Sequence, residues 1–406
     1  MRLRTASGPL HVLVLCYEYP PVGGGGGVGA RQYAEAWVAA GHAVTVLTSG
    51  SKDLPPEEIS GGLRVVRLRV FGRRERATAT NRAMLAYLIA GGAWLLRHRA
   101  ALAGVDVAST HFSIPTGPLG LFASRLLDIP NVLTIIGGDI YDPSKRSSPH
   151  RHRWSRIANR WIIRSADAVI AISSDTRARA ERYYGIRRRI QVIPYGFSPP
   201  SEDHGASEAG AEPFSPVDEA DRHGDDSFRL IAVGRLVPRK GFDHLLAALA
   251  RLPAQVRLEV IGDGPLAGPL QDLASELGVA ARVTWHGFLD RSEILRRMKR
   301  ADCFVLSSLH EGLGIVVQEA MFAGLPIVAT DNGGQTDLIT DGENGLLVPV
   351  GDPEAIASAV LRLMEDAERR QAMGRKNRER VWELAMPLNA EEVLEVLRDA
   401  IVRRSG

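Results

Sequence analysis

The stretch His310-Glu311-Gly312-Leu313-Gly314-Ile315-Val316-Val317-Gln318-Glu319-Ala320-Met321 follows the apolar run Cys303-Phe304-Val305-Leu306. In order it reads strand, glycine turn, helix, with two carboxylates eight positions apart. A helix that starts at such a turn offers unpaired backbone N–H groups and positive dipole character to an anion. Two acids beside an anion site need another job, and hydroxyl groups are their natural partner. The ligand implied carries both phosphate and sugar hydroxyls.

Working outward, the same strand-to-helix order recurs. His11 to Cys16 is a buried strand leading to a glycine-rich loop, a helix from about Ala30 to Ala40, and a second strand, Ala43 to Leu47. A second series begins at Phe228, turns at Gly234 and enters a helix near Asp243, with further strands at Leu258 to Ile261, Val283 to Trp285 and Pro326 to Ala329. This alternation predicts an α/β fold with a parallel sheet in each half. A chain of 406 residues suits two such domains. The expected division is 1–197, a linker at 198–227, a second domain at 228–385, and a closing segment at 386–406. The linker is rich in Ser, Pro, Gly, Asp and Glu and nearly lacks large apolar residues, so it is read as flexible. In the last segment Val393, Leu394, Leu397 and Ile401 have helical spacing, and the N-terminal domain is the surface on which it is expected to pack. Ligands of open parallel sheets bind at the carboxyl ends of the strands, so two sheets are expected to face each other across a cleft.

With 45% hydrophobic and 24% charged residues the composition is that of a globular protein. Cys16 and Cys303, the only cysteines, sit in apolar strands and read as reduced core thiols. The apolar run after Arg2 and Arg4 is too short for a secretory signal. Ala83 to Leu96 is too short to span a bilayer and reads as a buried or membrane-surface helix. The expected location is the cytoplasm, with peripheral contact at the inner face of the plasma membrane as an option. The net charge of +3 is unevenly spread: residues 1–197 hold 27 basic and 13 acidic residues, 198–227 hold 1 and 9, and 228–406 hold 22 and 25. So basic an N-terminal half suggests an anionic acceptor, an anionic membrane surface or nucleic acid. Arg151, Arg153, Arg156, Arg160 and Arg164 interleave with Trp154 and Trp161, but no nucleic-acid module accompanies them, and an amphipathic helix docked on the core is the commoner explanation.

Four strand-end loops carry candidate chemistry. Gly234-Arg235-Leu236-Val237-Pro238-Arg239-Lys240-Gly241 sets Arg235 and Lys240 where two fixed cations could grip a diphosphate. Gly24, Gly26 and Gly29 spell G-x-G-x-x-G, yet the first glycine stands too far from its strand, and Thr48 and Ser49 end the second strand where a ribose-binding acid is needed. A dinucleotide site is therefore rejected, and the run from Gly23 to Gly27 is read as a close-approach loop. His111 ends the strand-like run from Val105 and could donate to a hydroxyl or share a proton with phosphate. Gly137-Gly138-Asp139 follows Val132 to Ile136, with Asp139 a candidate hydroxyl acceptor.

Taken together the chain resembles a GT-B fold retaining glycosyltransferase of the group 1 class, family 4, from about Val12 to the last helix. The most specific part is Glu311 to Pro326, reading E-G-x-G-x-x-x-x-E-A-x-x-A-G-x-P; Gly234-Arg235 with Lys240-Gly241 is nearly as specific, and Gly333-Gly334 supports it. The resemblance implies a hexose-type sugar moved from a nucleoside-diphosphate sugar, UDP favoured over GDP, to a hydroxyl acceptor that is anionic, lipid-linked or neutral. Catalysis would fall to His111, Glu311, Arg235 and Lys240. Arg235 and Lys240 would neutralise the diphosphate, Glu319 would accept from the ribose, and Glu311 and His111 would touch the transferred sugar. Gly312, Leu313, Gly314 and Ile315 would offer backbone N–H groups, and Phe288 and Leu289 would meet the base. Gly24, Gly25 and Gly26 would close over the phosphates, with Gly137, Gly138 and Asp139 on the acceptor side. No metal and no cofactor is expected, because cations and a helix amino end can stabilise the departing diphosphate. Two positions depart from the family pattern: Tyr195-Gly196 stands where Asn-Gly is usual, and Asp337 where Glu is commoner; neither is expected to touch the chemistry. A GT-B epimerase or hydrolase and a non-catalytic binding relative are the rival readings.

Overall fold

The computed structural model describes residues 8–71, 80–199 and 227–405. Nearly all of the acidic linker lies outside them. The chain forms two compact units, one of Met1–Gly196 with Leu384–Gly406, the other of Phe197–Glu383.

The first unit is built on eight strands: β1 His11–Cys16, β2 Ala43–Gly50, β3 Glu57–Ser60, β4 Leu63–Arg69, β5 Val107–His111, β6 Asn131–Ile135, β7 Ala168–Ala171 and β8 Gln191–Val192. Their order in the sheet is β3-β4-β2-β1-β5-β6-β7-β8, parallel except where β3 runs against β4. β1, β5 and β6 are almost wholly buried, as continuous apolar runs covered by helices on both faces should be. Helices α1 Gly25–Ala39, α2 Asn81–Arg97, α3 Gly117–Leu127, α4 Arg153–Ser165 and α5 Ser174–Tyr184 make the crossovers. Side-chain oxygens of Thr80 and Ser173 accept first-turn N–H groups at the starts of α2 and α5.

The second unit has six parallel strands: β9 Phe228–Val233, β10 Val256–Ile261, β11 Val283–Trp285, β12 Cys303–Leu306, β13 Ile327–Thr330 and β14 Gly345–Val348, ordered β11-β10-β9-β12-β13-β14. Its helices are α6 Phe242–Leu249, α7 Ala267–Glu276, α8 Arg291–Lys299, α9 Ile315–Ala323, α10 Pro353–Glu365 and α11 Ala367–Glu383. Strand order reverses between β9 and β12. At such a switch point the loops on the two sides diverge and leave a crevice at the carboxyl ends of the strands. The first unit reverses likewise between β1 and β5.

The last helix, α12 Met386–Ser405, returns to the first unit. It lies on α1, where Trp37 Nε1 donates to the Ala390 carbonyl at 3.0 Å and Val393, Leu394, Leu397 and Ile401 are buried.

Candidate functional site

The switch point of the second sheet brings the two most informative motifs together. The loop after β9 carries Arg235, Arg239 and Lys240, and the loop after β12 carries Ser308 and Glu311. Lys240 Nζ stands 2.6 Å from Glu311 Oε1, Arg239 Nη1 stands 3.1 Å from Oε2, and Ser308 Oγ donates to Oε1 at 2.7 Å. Arg239 also donates to the His310 carbonyl at 2.6 Å, tying one loop to the other. Burial alone would push the Glu311 carboxyl upward, but Arg239, Lys240 and Ser308 outweigh it and hold the group well below the usual carboxylate range. Burial draws the Lys240 ammonium down, with Arg239 and Arg235 acting in the same direction and Glu311 opposing. The result is two cations paired with one buried carboxylate, with Arg235 close enough to act electrostatically on Lys240.

Gly314, at φ +87, caps α9, so Gly312 to Ile315 form the turn and first helical residue, where N–H groups have no carbonyl one turn earlier to bond. Gly334 N donates to the Glu311 carbonyl at 2.9 Å, and a side chain on Gly333 would meet that carbonyl oxygen at 2.4 Å in a backbone of φ +123. The glycine pair is thus required for the loop after β13 to close on Glu311.

Glu319 lies on the buried side of α9, where its Oε1 accepts from Arg291 Nε at 2.8 Å; Arg291 also donates to the Ser198 carbonyl at 2.6 Å. Burial pushes the Glu319 carboxyl up, with Arg291 pulling the other way. Phe288 is 84% exposed and Leu289 half-buried, just after β11. Arg239, Arg291 and Ser308 were not among the sequence candidates. Arg239 could have been found from its place beside Lys240; Arg291 had no local signal, since it reaches Glu319 only through the packing of α8 on α9.

The first unit departs from expectation at three points. First, the helix expected from Ala30 begins at Gly25, so Gly25 and Gly26 are its first turn and Gly24 its cap, with Gly24 N donating to Glu18 Oε2 at 2.9 Å. Intrinsic propensity argues against glycine in a helix. Packing overrides it: a methyl group on Gly26 would come within 2.6 Å of the Phe112 ring. Second, His111 is fully buried within its unit, Nδ1 paired with the Tyr195 hydroxyl at 3.0 Å and Nε2 with Ser109 Oγ at 3.3 Å. Desolvation lowers its pKa to about 3, so the ring is neutral, and both of its nitrogens have protein partners. Tyr195, expected to stand apart, is the residue that holds it. Third, the Asp139 carboxylate turns inward, accepting from Ser113 N at 2.6 Å and Ile136 N at 3.0 Å. It ties the loops after β5 and β6 together.

Burial raises the Asp139 pKa to about 6, against the backbone N–H groups that favour the anion. An acid whose folded pKa exceeds its unfolded value binds its proton preferentially in the fold. Its contribution is therefore full below pH ~4 and falls as pH rises through about 6, by roughly 3 kcal/mol. Asp139→Asn should remove that slope; denaturant titrations of both proteins from acid to neutral pH would run parallel if the carboxyl were not shifted.

A paired-sheet α/β architecture with a cationic, carboxylate-lined switch point defines a class, the GT-B enzymes that act on activated sugars. Residues 217–380 match the family model for glycosyl transferases group 1, and residues 24–196 match that of the glycosyl transferase 4-like domain. The chain is 30% identical over 307 residues to the GDP-mannose-dependent alpha-(1-6)-phosphatidylinositol monomannoside mannosyltransferase of Mycobacterium tuberculosis, covering 70% of this chain and 74% of that protein. Among solved structures, sucrose-phosphate synthase from Thermosynechococcus elongatus superposes with a TM-score of 0.82 at 24% identity, over 97% of this chain and 100% of that one. Anabaena HepE in complex with UDP-glucose gives a TM-score of 0.72 at 20% identity, over 96% of this chain and 99% of that one. The chain belongs to the group 1 glycosyl transferases: it is a glycosyltransferase that takes sugar from a nucleotide-sugar.

Proposed function

We propose that the donor is a nucleoside-diphosphate hexose whose diphosphate docks against Arg235, Arg239, Lys240 and the amino end of α9. The observation that carries this reading is the pairing of Arg239 and Lys240 with Glu311 at the switch point. Glu319, held by Arg291, takes the ribose hydroxyls, and Glu311 the hydroxyls of the transferred sugar. Leaving-group charge is met by fixed cations and helix N–H groups, so the chemistry needs no metal from the protein. Attack by the acceptor hydroxyl comes from the face the diphosphate leaves, which retains anomeric configuration, and the departing phosphate takes the proton. UDP is the preferred base, as in the HepE complex; the mannosyltransferase relative, named for GDP-mannose, makes GDP the comparison. The acceptor hydroxyl belongs to an anionic or lipid-linked molecule, in keeping with the basic first unit.

Calorimetric titration with UDP, GDP and UMP tests the donor half. Diphosphates should bind more tightly than UMP, with EDTA making no difference. Glu319→Gln should weaken UDP binding by about 10- to 100-fold, the loss expected for one hydrogen bond to a charged group. Equal affinity for UMP and UDP would remove the diphosphate cradle. Turnover without acceptor, releasing free sugar, would favour a hydrolase.

A further inference from the structure

Helices α2, α3 and α4 follow right-handed crossovers from β4 to β5, β5 to β6 and β6 to β7, which puts all three on the same face of the first sheet. α3 packs between the other two. Across their 17, 11 and 13 residues the three helices contain seven arginines and no Asp or Glu. They also expose large apolar side chains that a water-facing layer would not select: Leu85 and Ile89 at 59% and 66%, Trp154 and Ile157 at 84% and 58%. Phe122 on α3 and Trp161 on α4 extend the patch.

α4 shows how the two chemistries are arranged. Asn159, Ile162 and Ile163 face the core. At 3.6 residues per turn, the outward face divides lengthwise, with Trp154, Ile157 and Trp161 along one half and Arg153, Arg160 and Arg164 along the other. Arg153, Arg156 and Arg160, with Tyr183 and Tyr184, also line a hollow of about 310 Å³. No ion pair engages these three arginines among the described residues. Such a surface meets a partner that is anionic at its boundary and apolar just beneath. A soluble anion or an acidic protein accounts for the arginines but leaves two exposed indoles unexplained. Among the described residues no helix is long and apolar enough to cross a membrane.

We propose that the α2–α3–α4 face of the first unit docks on an anionic lipid bilayer, with Trp154, Ile157 and Trp161 entering the headgroup boundary. The arginines beside them take lipid phosphates. An interfacial helix with cations on one side and Trp on the other has the physical requirements for this binding. The proposal rests on the first unit alone and stands whether or not the donor reading holds.

The test is flotation of the full chain with vesicles of phosphatidylcholine and vesicles of equal parts phosphatidylcholine and phosphatidylglycerol. The chain should float with the mixed vesicles only. Because each cation near an anionic surface contributes about fivefold in affinity, Arg153→Glu/Arg160→Glu should lower partitioning by 25-fold or more. Trp154→Ser/Trp161→Ser should lower it by roughly tenfold, while Arg375→Glu on α11 should leave it unchanged. All five positions are exposed or at the surface, so circular dichroism should show the variants folded. Equal binding to both vesicles, or none to either, overturns the proposal. So does loss with the arginine pair but not the tryptophan pair, which would mark a site for soluble anions or an acidic partner.

Discussion

Glu311→Ala should destabilise the second unit by about 3–5 kcal/mol and slow sugar transfer, whereas Lys240→Met should slow transfer with little loss of stability. The asymmetry follows from what each change leaves behind. Without Glu311, Lys240 and Arg239, both largely shielded from water, lose the carboxylate that balances them, and an uncompensated buried charge costs several kcal/mol. Without Lys240, Glu311 still has Arg239 and Ser308. For transfer itself, removing one charge that stabilises the leaving group should cost about 10²–10³ in rate, as removal of an oxyanion donor does. Thermal denaturation reads the first effect, with a fall of about 10 °C for Glu311→Ala; released nucleoside diphosphate reads the second. Equal melting temperatures for the two variants would mean that the ion pair is not the mainstay of these loops.

Truncation before Met386 should leave the first unit unable to fold while the second keeps its sheet. α12 buries Val393, Leu394, Val396, Leu397, Ala400 and Ile401. Re-exposing the larger of them at about 1.5–3 kcal/mol each matches or exceeds the 5–15 kcal/mol by which a domain is stable. The Trp37 indole would also lose its acceptor. Hydrogen exchange would locate the damage: protection should vanish from β1, β5 and β6 and persist in β9, β12 and β13. Protection retained in the first unit would show that α12 is a dispensable cover. Trp37→Ala is the milder form of the same experiment, with an expected loss of about 3–5 kcal/mol.

Much of the second unit was legible because its signals are local. Periodicity marks β11 and β12 to the residue, and the spacing of Glu311 and Glu319 on either side of a glycine turn implies their shared element. The first unit was less legible. His111 and Asp139 occupy strand ends, where ligand contacts are common, but a strand-end position does not say which way a side chain turns. His111 turns into the core because Tyr195, from the far edge of the unit, supplies a hydroxyl; Asp139 turns inward because the backbone of Ser113 needs an acceptor. The glycine run was misjudged because propensity is counted per residue, while the need for glycine at position 26 comes from the Phe112 ring.

Pattern, spacing and residue chemistry by themselves determined two parallel-sheet units, the glycine turn before α9 and the cationic loop after β9, because each depends on neighbours within a few positions. Tertiary structure decided which cation meets which carboxylate, that Arg239 and Arg291 join the site, that α12 completes the first unit, and that three acid-free helices share a face. Those facts depend on strand order and helix handedness, which bring together residues up to hundreds of positions apart and leave no trace in local sequence.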